Sequence, residues 1–241
     1  MKIFFFPKQM IQGITVVLIC LFVFGVAWAF LSHANSSVRI EPTVSEPIYC
    51  GNTSEQTVAL AINVDWGEDV IPDMLQTLQN RQVQATFFVT GRFAENFPDL
   101  VAQIVDAGHE VGSHGYAHPH PDQLSIAENK EDILKAEQIL EPILGAKPML
   151  YAPPYGERGE SCLTAAEQCG YATILWTADT IDWEQPAPSH EVLVARVTGD
   201  KLQKGAILLM HPKPHTAEAL EDIIMTIEEK GYTCVKVSEV L

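Results

Sequence analysis

The chain has 241 residues, 47% of them hydrophobic, and a formal net charge of −16 at pH 7. Acidic surfaces repel phosphates, so this charge excludes a nucleic-acid partner. The length leaves room for one α/β domain with a full core behind an amino-terminal segment. Because Lys2 and Lys8 are the only charged side chains before Arg39, the part beyond that segment carries −18.

The amino-terminal segment contains the longest apolar run. Residues 11–31 include no charged side chain, and about 20 such residues span a bilayer core. Lys2 and Lys8 precede the run, which favours an amino end in the cytoplasm and a domain outside. Ala27-Trp28-Ala29 resembles a signal-peptidase site, but the run is longer than that of a cleaved signal. We expect residues 1–31 to be a cell-membrane anchor, and a cleaved signal with a secreted domain is the alternative.

Residues 32–52 are polar and lack a period, which predicts a stalk, and residues 53–241 form the predicted domain. Outside the cell a disulfide could persist. Cys50 could then pair with one of three other cysteines, and spacing does not decide among Cys162, Cys169 and Cys234. The sequence contains no C-x-x-C pair, so a cysteine zinc site has no support.

From Thr57 onward, strand-like and helix-like stretches alternate. Strands are predicted over residues 58–64, 85–89, 109–112, 149–152, 172–176, 206–210 and 233–235. Helices are predicted over residues 70–79, 98–107, 125–144 with Ser125 as its cap, 163–169, 191–202 and 217–230. This alternation implies a parallel sheet. About seven strands could close into a barrel or form an open doubly wound sheet, and periodicity does not choose between them.

Polar residues follow these strands, at the edge where α/β enzymes place their chemistry. They are Asn63, Asp65, Thr90, His114, His118, Tyr155, Asp179 and His211. His114 and His118 are four residues apart, so both imidazoles could bind one divalent metal. The pattern H-x-x-x-H alone is equally typical of solvated loop histidines.

The neighbouring residues give the histidine pair a chemical context. Asp65 could complete a two-histidine, one-carboxylate metal site with a position open for water, or it could be a solvated turn carboxylate. His211 could be a general acid whose ring is oriented by Asp179 or Asp182, or a strand-end histidine that hydrogen-bonds a carbonyl. Tyr155 could line a groove. Tryptophans such as Trp183 are more often core residues than sugar platforms.

Several ordered blocks carry a family resemblance over about residues 58–241. They are Ala85-Thr86-Phe87-Phe88-Val89, the stretch from Gly108 to His114, His114 to Pro119, Pro153-Pro154-Tyr155-Gly156, Asp179-Thr180-Ile181-Asp182-Trp183 and Leu209-Met210-His211. In these blocks the domain resembles the polysaccharide deacetylases of the NodB-homology fold. The resemblance implies a distorted (β/α) barrel of about seven parallel strands and metal-dependent removal of acetyl groups from peptidoglycan or chitin-like glycans.

The resemblance also implies roles for individual residues. His114 and His118 match the metal histidines, for which zinc is the expected metal and cobalt an alternative. Asp179 matches the partner of the acid and His211 the acid itself. The substrate groove is assigned Tyr155, with Pro154 and Trp183 beside it.

The first block departs from the family pattern T-F-D-D-G, whose aspartates are the base and a metal ligand. Asn63 and Val64 occupy those positions, and Ala152 stands where an arginine is expected. An amide cannot take a proton and valine cannot bind a metal. This version of the block, with Met-His-Pro after the strand over 206–210, resembles a divergent branch associated with spore-forming bacteria.

Two hypotheses follow. The first is a metal-dependent deacetylase in which Asp65 replaces the lost ligand and Asp65 or Glu68 takes the water proton. The second is a membrane-tethered module that binds an N-acetylated glycan without turnover.

Overall fold

The computed structural model describes residues 46–241. The predicted anchor and most of the predicted stalk lie outside these described residues. Within residues 46–241, every helix is too short or too polar to cross a membrane.

The domain is built on a parallel sheet whose longest strand is β1, Thr57–Val64. The strands that follow are β2 (Thr86–Val89), β3 (Glu110–Ser113), β4 (Leu150–Tyr151), β5 (Ala172–Thr173), β6 (Ala178–Asp179), β7 (Ile207–Met210) and β8 (Thr233–Val235). Seven strands are ordered β5-β4-β3-β2-β1-β7-β6, and β8 pairs with the first residues of β1. The predicted parallel arrangement is therefore confirmed.

The two faces of β1 enter different cores because successive side chains of a strand point to opposite faces. Leu60, Ile62 and Val64 belong to the large cluster between the sheet and the helices. Ala59 and Ala61 belong to a smaller cluster on the other face. The sheet curls around this smaller cluster into a half-barrel, which resolves the choice between a barrel and a flat open sheet.

The helices cover the outer face. They are α1 (Ile71–Arg81), α2 (Gly91–Asn96), α3 (Pro98–Asp106), α4 (Ile126–Leu144), α5 (Glu160–Gln168), α6 (His190–Thr198) and α7 (Pro214–Glu229). Ser125 caps α4 in a capping box with Glu128, and Gly145 ends the helix at φ 72°. The helix α2 and the strand β6 were not predicted, because six and two residues are too few to show a period.

The half-barrel has a seam between β5 and β6, which do not pair. The chain before β1 fills part of this seam. Ile48 forms a bridge to Ile174, and Cys50 forms one to Ala206. Residues 48–51, which were predicted to belong to the stalk, therefore pack with the folded domain.

The described cysteines, Cys50, Cys162, Cys169 and Cys234, are all free thiols. The predicted option of a Cys50 disulfide with one of the other three is not realised in this structure.

Candidate active site

A pocket of about 300 Å³ opens at the carboxyl ends of the strands. Its lining includes six sequence-predicted site or strand-end residues, namely Asn63, His114, His118, Tyr155, Asp179 and His211, together with Trp183. Asp65 and Pro154 are not part of this lining. A larger cleft of about 540 Å³ lies at the opposite edge of the sheet, between α1 and β8. Its lining contains His109 and several glutamines but none of the predicted site residues.

His114 is buried at the end of β3 with its tautomer fixed by the backbone. Its Nδ1 lies 2.6 Å from the carbonyl oxygen of Ala152. A carbonyl can only accept, so Nδ1 carries the proton and Nε2 is left as a lone-pair donor to the pocket. Burial lowers the pKa of His114 to about 3, with a further contribution from His118. The imidazole is therefore neutral at physiological pH.

His118 completes the predicted histidine pair. The centroids of the His114 and His118 rings lie 5.0 Å apart. Burial also lowers the pKa of His118. His118 has a φ of 54°, a left-handed conformation that non-glycine residues adopt mainly where surrounding contacts impose it. The two imidazoles thus lie side by side in an edge-to-face arrangement, as the H-x-x-x-H spacing predicts.

The loop between these histidines is held by Asp132 of α4. Its carboxylate accepts hydrogen bonds from the backbone N–H groups of Tyr116 (2.8 Å) and Ala117 (3.0 Å). Gly115 is needed here, because its φ is 75° and a Cβ would lie 2.4 Å from Asp132 Oδ2. Nothing in the sequence pattern of α4 distinguishes Asp132 from a solvated helix carboxylate, so it was missed.

His211, after β7, is held by Asp182. Asp182 Oδ1 lies 2.7 Å from His211 Nδ1, and Oδ2 accepts from the His211 backbone N–H (2.7 Å) and from Thr216 Oγ1 (2.8 Å). Burial alone would raise the pKa of Asp182, but the hydrogen bond and charge of His211 keep it below its usual value. The ring is therefore fixed with Nε2 as its remaining polar atom, as a general acid requires.

The assignment of Asp179 as the partner of His211 is wrong, and the alternative Asp182 is the partner. Asp179 accepts instead from the backbone N–H of Ile181 (2.7 Å) and from Trp183 Nε1 (3.3 Å). Ile181 has a φ of 52°, so the chain reverses between the two aspartates and turns Asp182 toward His211. Asp179 positions Trp183, whose side chain is 53% exposed at the pocket.

The side of the pocket formed by the end of β1 lacks the two carboxylates that the family pattern places there. Asn63 is buried, and its Oδ1 has no hydrogen-bond partner. Ala152 is also buried and belongs to the inner cluster. Val64 points the other way, into the core beneath the helices. An unpaired buried oxygen thus stands where a base is expected, and its expected arginine partner is absent from position 152.

The Asp65 carboxylate is occupied by two neighbouring residues and does not line the pocket. Its Oδ1 accepts from Thr90 Oγ1 (2.9 Å) and Arg92 Nε (2.8 Å), and its Oδ2 accepts from Arg92 Nη2. Over residues 46–241, no three His, Cys, Asp or Glu side chains are grouped to hold a metal ion. The predicted use of Asp65 as third ligand is therefore not realised in this geometry. The pair could supply two imidazole ligands, but the donor set does not fit a metal held by three protein side chains.

Aromatic side chains form the rim. Tyr155 is 57% exposed and stacks on His120, with ring centroids 3.9 Å apart. Pro154 precedes it in the short 3-10 turn Pro154–Gly156 and does not line the pocket. Trp66 is parallel to His211 at 6.0 Å, and Lys213 Nζ lies 4.6 Å from its ring centroid. Trp66 is thus a wall beside the acid, whereas Tyr155 and Trp183 offer exposed surfaces to a ligand.

Comparisons with known proteins agree with this architecture. An uncharacterised protein of Bacillus subtilis, YlxY, is 41% identical over 210 residues, which cover 87% of this chain and 65% of that protein. A peptidoglycan-N-acetylglucosamine deacetylase of Bacillus cereus is 34% identical over 71% of this chain and 64% of its own length. This chain therefore spans just under two thirds of the length of these two relatives.

Among solved structures, the carbohydrate esterase family 4 pseudoenzyme BA3943 of Bacillus anthracis superposes with a TM-score of 0.76 at 38% identity. The match covers 81% of this chain and 68% of that one. A mutant of BA3943 is described as having restored enzymatic activity. The family model for polysaccharide deacetylase matches residues 50–174. The chain belongs to the polysaccharide deacetylase family.

Proposed function

We propose that this chain binds an N-acetylated glycan of the peptidoglycan type in its pocket and does not deacetylate it. The observation that carries the proposal is the lack of a free carboxylate beside the histidine pair within the described pocket. Asn63 stands at the position of the base, and Asp65 is bound by Arg92. Hydrolysis of an acetamide requires a group that takes a proton from the attacking water, and an amide cannot do so.

Other parts of the pocket support glycan binding. Tyr155 and Trp183 present exposed rings, and such rings can stack on the apolar face of a pyranose. His211 Nε2 can accept a hydrogen bond from a glycan hydroxyl or amide N–H, because Asp182 bonds the other ring nitrogen. Relatives named peptidoglycan deacetylases make an N-acetylated glycan the ligand class of choice.

A second candidate is a deacetylase that uses a divalent metal, with zinc first and cobalt as the alternative. The intact His211–Asp182 pair and the two neutral imidazoles favour it. It would require Asp65 to leave Arg92 and join His114 and His118.

Acetate release and glycan binding separate the two candidates. We expect the wild-type chain to bind an N-acetylated chito-oligomer or peptidoglycan fragment without releasing acetate above the buffer rate, with or without added zinc. Binding should weaken in Tyr155→Ala and Trp183→Ala and remain unchanged in His190→Ala, which alters a half-buried histidine on α6 outside the pocket. Acetate release by the wild type that disappears in His211→Ala would establish the second candidate instead.

We further propose that the domain lies outside the cytoplasmic membrane, tethered by residues 1–31. The support is the charge-free run 11–31 with Lys2 and Lys8 before it. Carboxyl-terminal reporter fusions should be active only on the outer side, and an active cytoplasmic reporter would rule out this placement.

A further inference from the structure

The ion pair between Asp65 and Arg92 is unlike an ordinary surface pair. The Asp65 side chain is 8% exposed, whereas the Arg92 side chain is 45% exposed. Asp65 receives two bonds from one guanidinium and a third from the Thr90 hydroxyl. Bidentate arginine–carboxylate pairs are strong and fix the plane of the carboxylate. Asp65 is therefore held in one orientation.

Asp65 is nevertheless the carboxylate placed to serve the histidine pair. It is two residues after Asn63, which lines the pocket, and β1 ends between them. Its hydrogen-bond partners Thr90 and Arg92 belong to a segment that contacts the histidine loop, because the backbone N–H groups of Gly91 and Arg92 donate to the carbonyl oxygens of Gly115 (2.9 Å) and Tyr116 (3.1 Å). The carboxylate is thus bonded to a segment that in turn contacts the loop between the two histidines, although it is not grouped with them as a ligand.

Arg92 places a positive charge at the same end of the sheet. Its backbone N–H donates to the carbonyl oxygen of Tyr116 (3.1 Å), between the two histidines, and its guanidinium bonds the Asp65 carboxylate. A divalent cation at the histidine pair would be repelled by this guanidinium, because like charges repel and the cation carries two charges.

We infer that Arg92 keeps divalent metal off the His114–His118 pair, by holding the carboxylate that would be the third ligand and by placing a positive charge beside the pair. The inference rests on the proposed function, because it explains why a pocket with two metal-ready imidazoles binds glycan without turnover. Arg92 is a positioning residue, and its loss converts a two-ligand site into a three-ligand site.

Zinc titration of the full-length chain in detergent, followed by calorimetry, tests this inference. We expect Arg92→Ala to bind one zinc ion at least about tenfold more tightly than the wild type, since groups that orient a ligand change metal affinity by about 10–100-fold. The double variant Arg92→Ala/Asp65→Ala should lose this gain. Arg81→Ala breaks a remote arginine–carboxylate pair with Glu228 and should bind zinc like the wild type.

Two further variants locate the ion. In the Arg92→Ala background, His114→Ala should abolish the gained zinc, whereas His120→Ala should not, because His120 is engaged with Glu157. Cobalt(II) absorption provides a second measurement, since a change from two to three protein ligands alters the visible spectrum. If Arg92→Ala does not fold, Arg92→Met retains the aliphatic stem and removes the charge.

Equal zinc affinity in the wild type and in the folded Arg92 variants would overturn the inference, and so would a gain that survives Asp65→Ala. A purely structural role for Arg92 predicts that result, with lower stability as the sole change. If zinc affinity does not rise in the Arg92 variants, but the wild type binds glycan and releases no acetate, only this inference fails and the proposed function stands. If the wild type releases acetate and Arg92→Ala binds zinc more tightly, only the proposed function fails.

Discussion

The two sides of the pocket differ in how their polar groups are satisfied. On the acid side, Asp182 bonds the His211 ring, the His211 backbone and Thr216. On the base side, Asn63 has an unpaired oxygen, and Asp65 is bonded outside the pocket. Asp182 thus also anchors the backbone after β7, so its loss would damage the fold as well as the chemistry. In the family pattern, the base carboxylate and its arginine bond mainly to each other. A chain that has lost both residues therefore leaves neither charge without a partner.

The largest expected effect comes from restoring the base side. Asn63→Asp with Ala152→Arg should raise acetate release from a chito-oligomer by about 10²–10⁴-fold, the usual contribution of general-base catalysis. Both positions belong to the inner face of the half-barrel, so the new charges can pair. Asn63→Asp alone should gain less, because its carboxylate lacks the partner that keeps it ionised.

A metal ligand could still be missing from the double variant, so the measurement should be repeated with Arg92→Ala added. Adding Asp65→Ala should then abolish acetate release if Asp65 supplies the missing ligand. If none of these variants releases acetate while all bind glycan like the wild type, the missing base and arginine do not account for the proposed lack of turnover.

The second prediction concerns Val64, which the family pattern makes a metal ligand. Val64→Asp should lower the free energy of unfolding by about 3–5 kcal/mol, because the charge would lie unpaired in the core beneath the helices. Denaturant unfolding measures this, with Val64→Ala as the control for lost volume. An unchanged midpoint would mean that the new carboxylate reaches the pocket, and the two faces of β1 would then not be separate.

The third prediction compares the two aspartates of the acid side. Asp182→Ala removes the acceptor of three hydrogen bonds at a fully buried position and should cost about 3 kcal/mol of unfolding free energy. Asp179→Ala removes bonds to Ile181 and Trp183 nearer the surface and should cost about 1 kcal/mol. Equal losses would show that Asp182 has no special structural role.

The smallest effect concerns pH and His109, remote from the pocket at the amino edge of the sheet. Burial lowers its pKa to about 4 from 6.5, so the folded state binds a proton less readily than the unfolded state. Its contribution to stability is complete above pH 6.5 and is lost as pH falls toward 4. It should amount to about 1 kcal/mol between pH 7.5 and 5.5. His109→Gln should reduce this dependence of the unfolding free energy on pH, and His190→Gln should not. The same pH dependence in the wild type and in His109→Gln would contradict the assignment of the effect to His109.

The sequence patterns predicted those features of the site that the topology of the sheet determines. Strand ends of a parallel sheet meet at one edge, so His114, His118, Tyr155 and His211 were correctly grouped. The pairing of side chains depended instead on loop conformations that no periodicity encodes. Ile181, at φ 52°, turns Asp182 rather than Asp179 to His211, and the unpredicted helix α2 brings Arg92 to Asp65. Long-range partners on regular helices, such as Asp132, have no local signal.

The seam between β5 and β6 has a mechanical consequence. The chain enters the domain there through bridges from Ile48 and Cys50, which run beside Ile174 and Ala206 rather than along a full strand. Tension on the amino end would therefore break these few hydrogen bonds one after another, before any force reached the longer pairing of β1 with β2 and β7. Trp176, which follows Ile174, lines the pocket. A pull on the amino end would thus loosen one wall of the pocket while the central strands stayed paired.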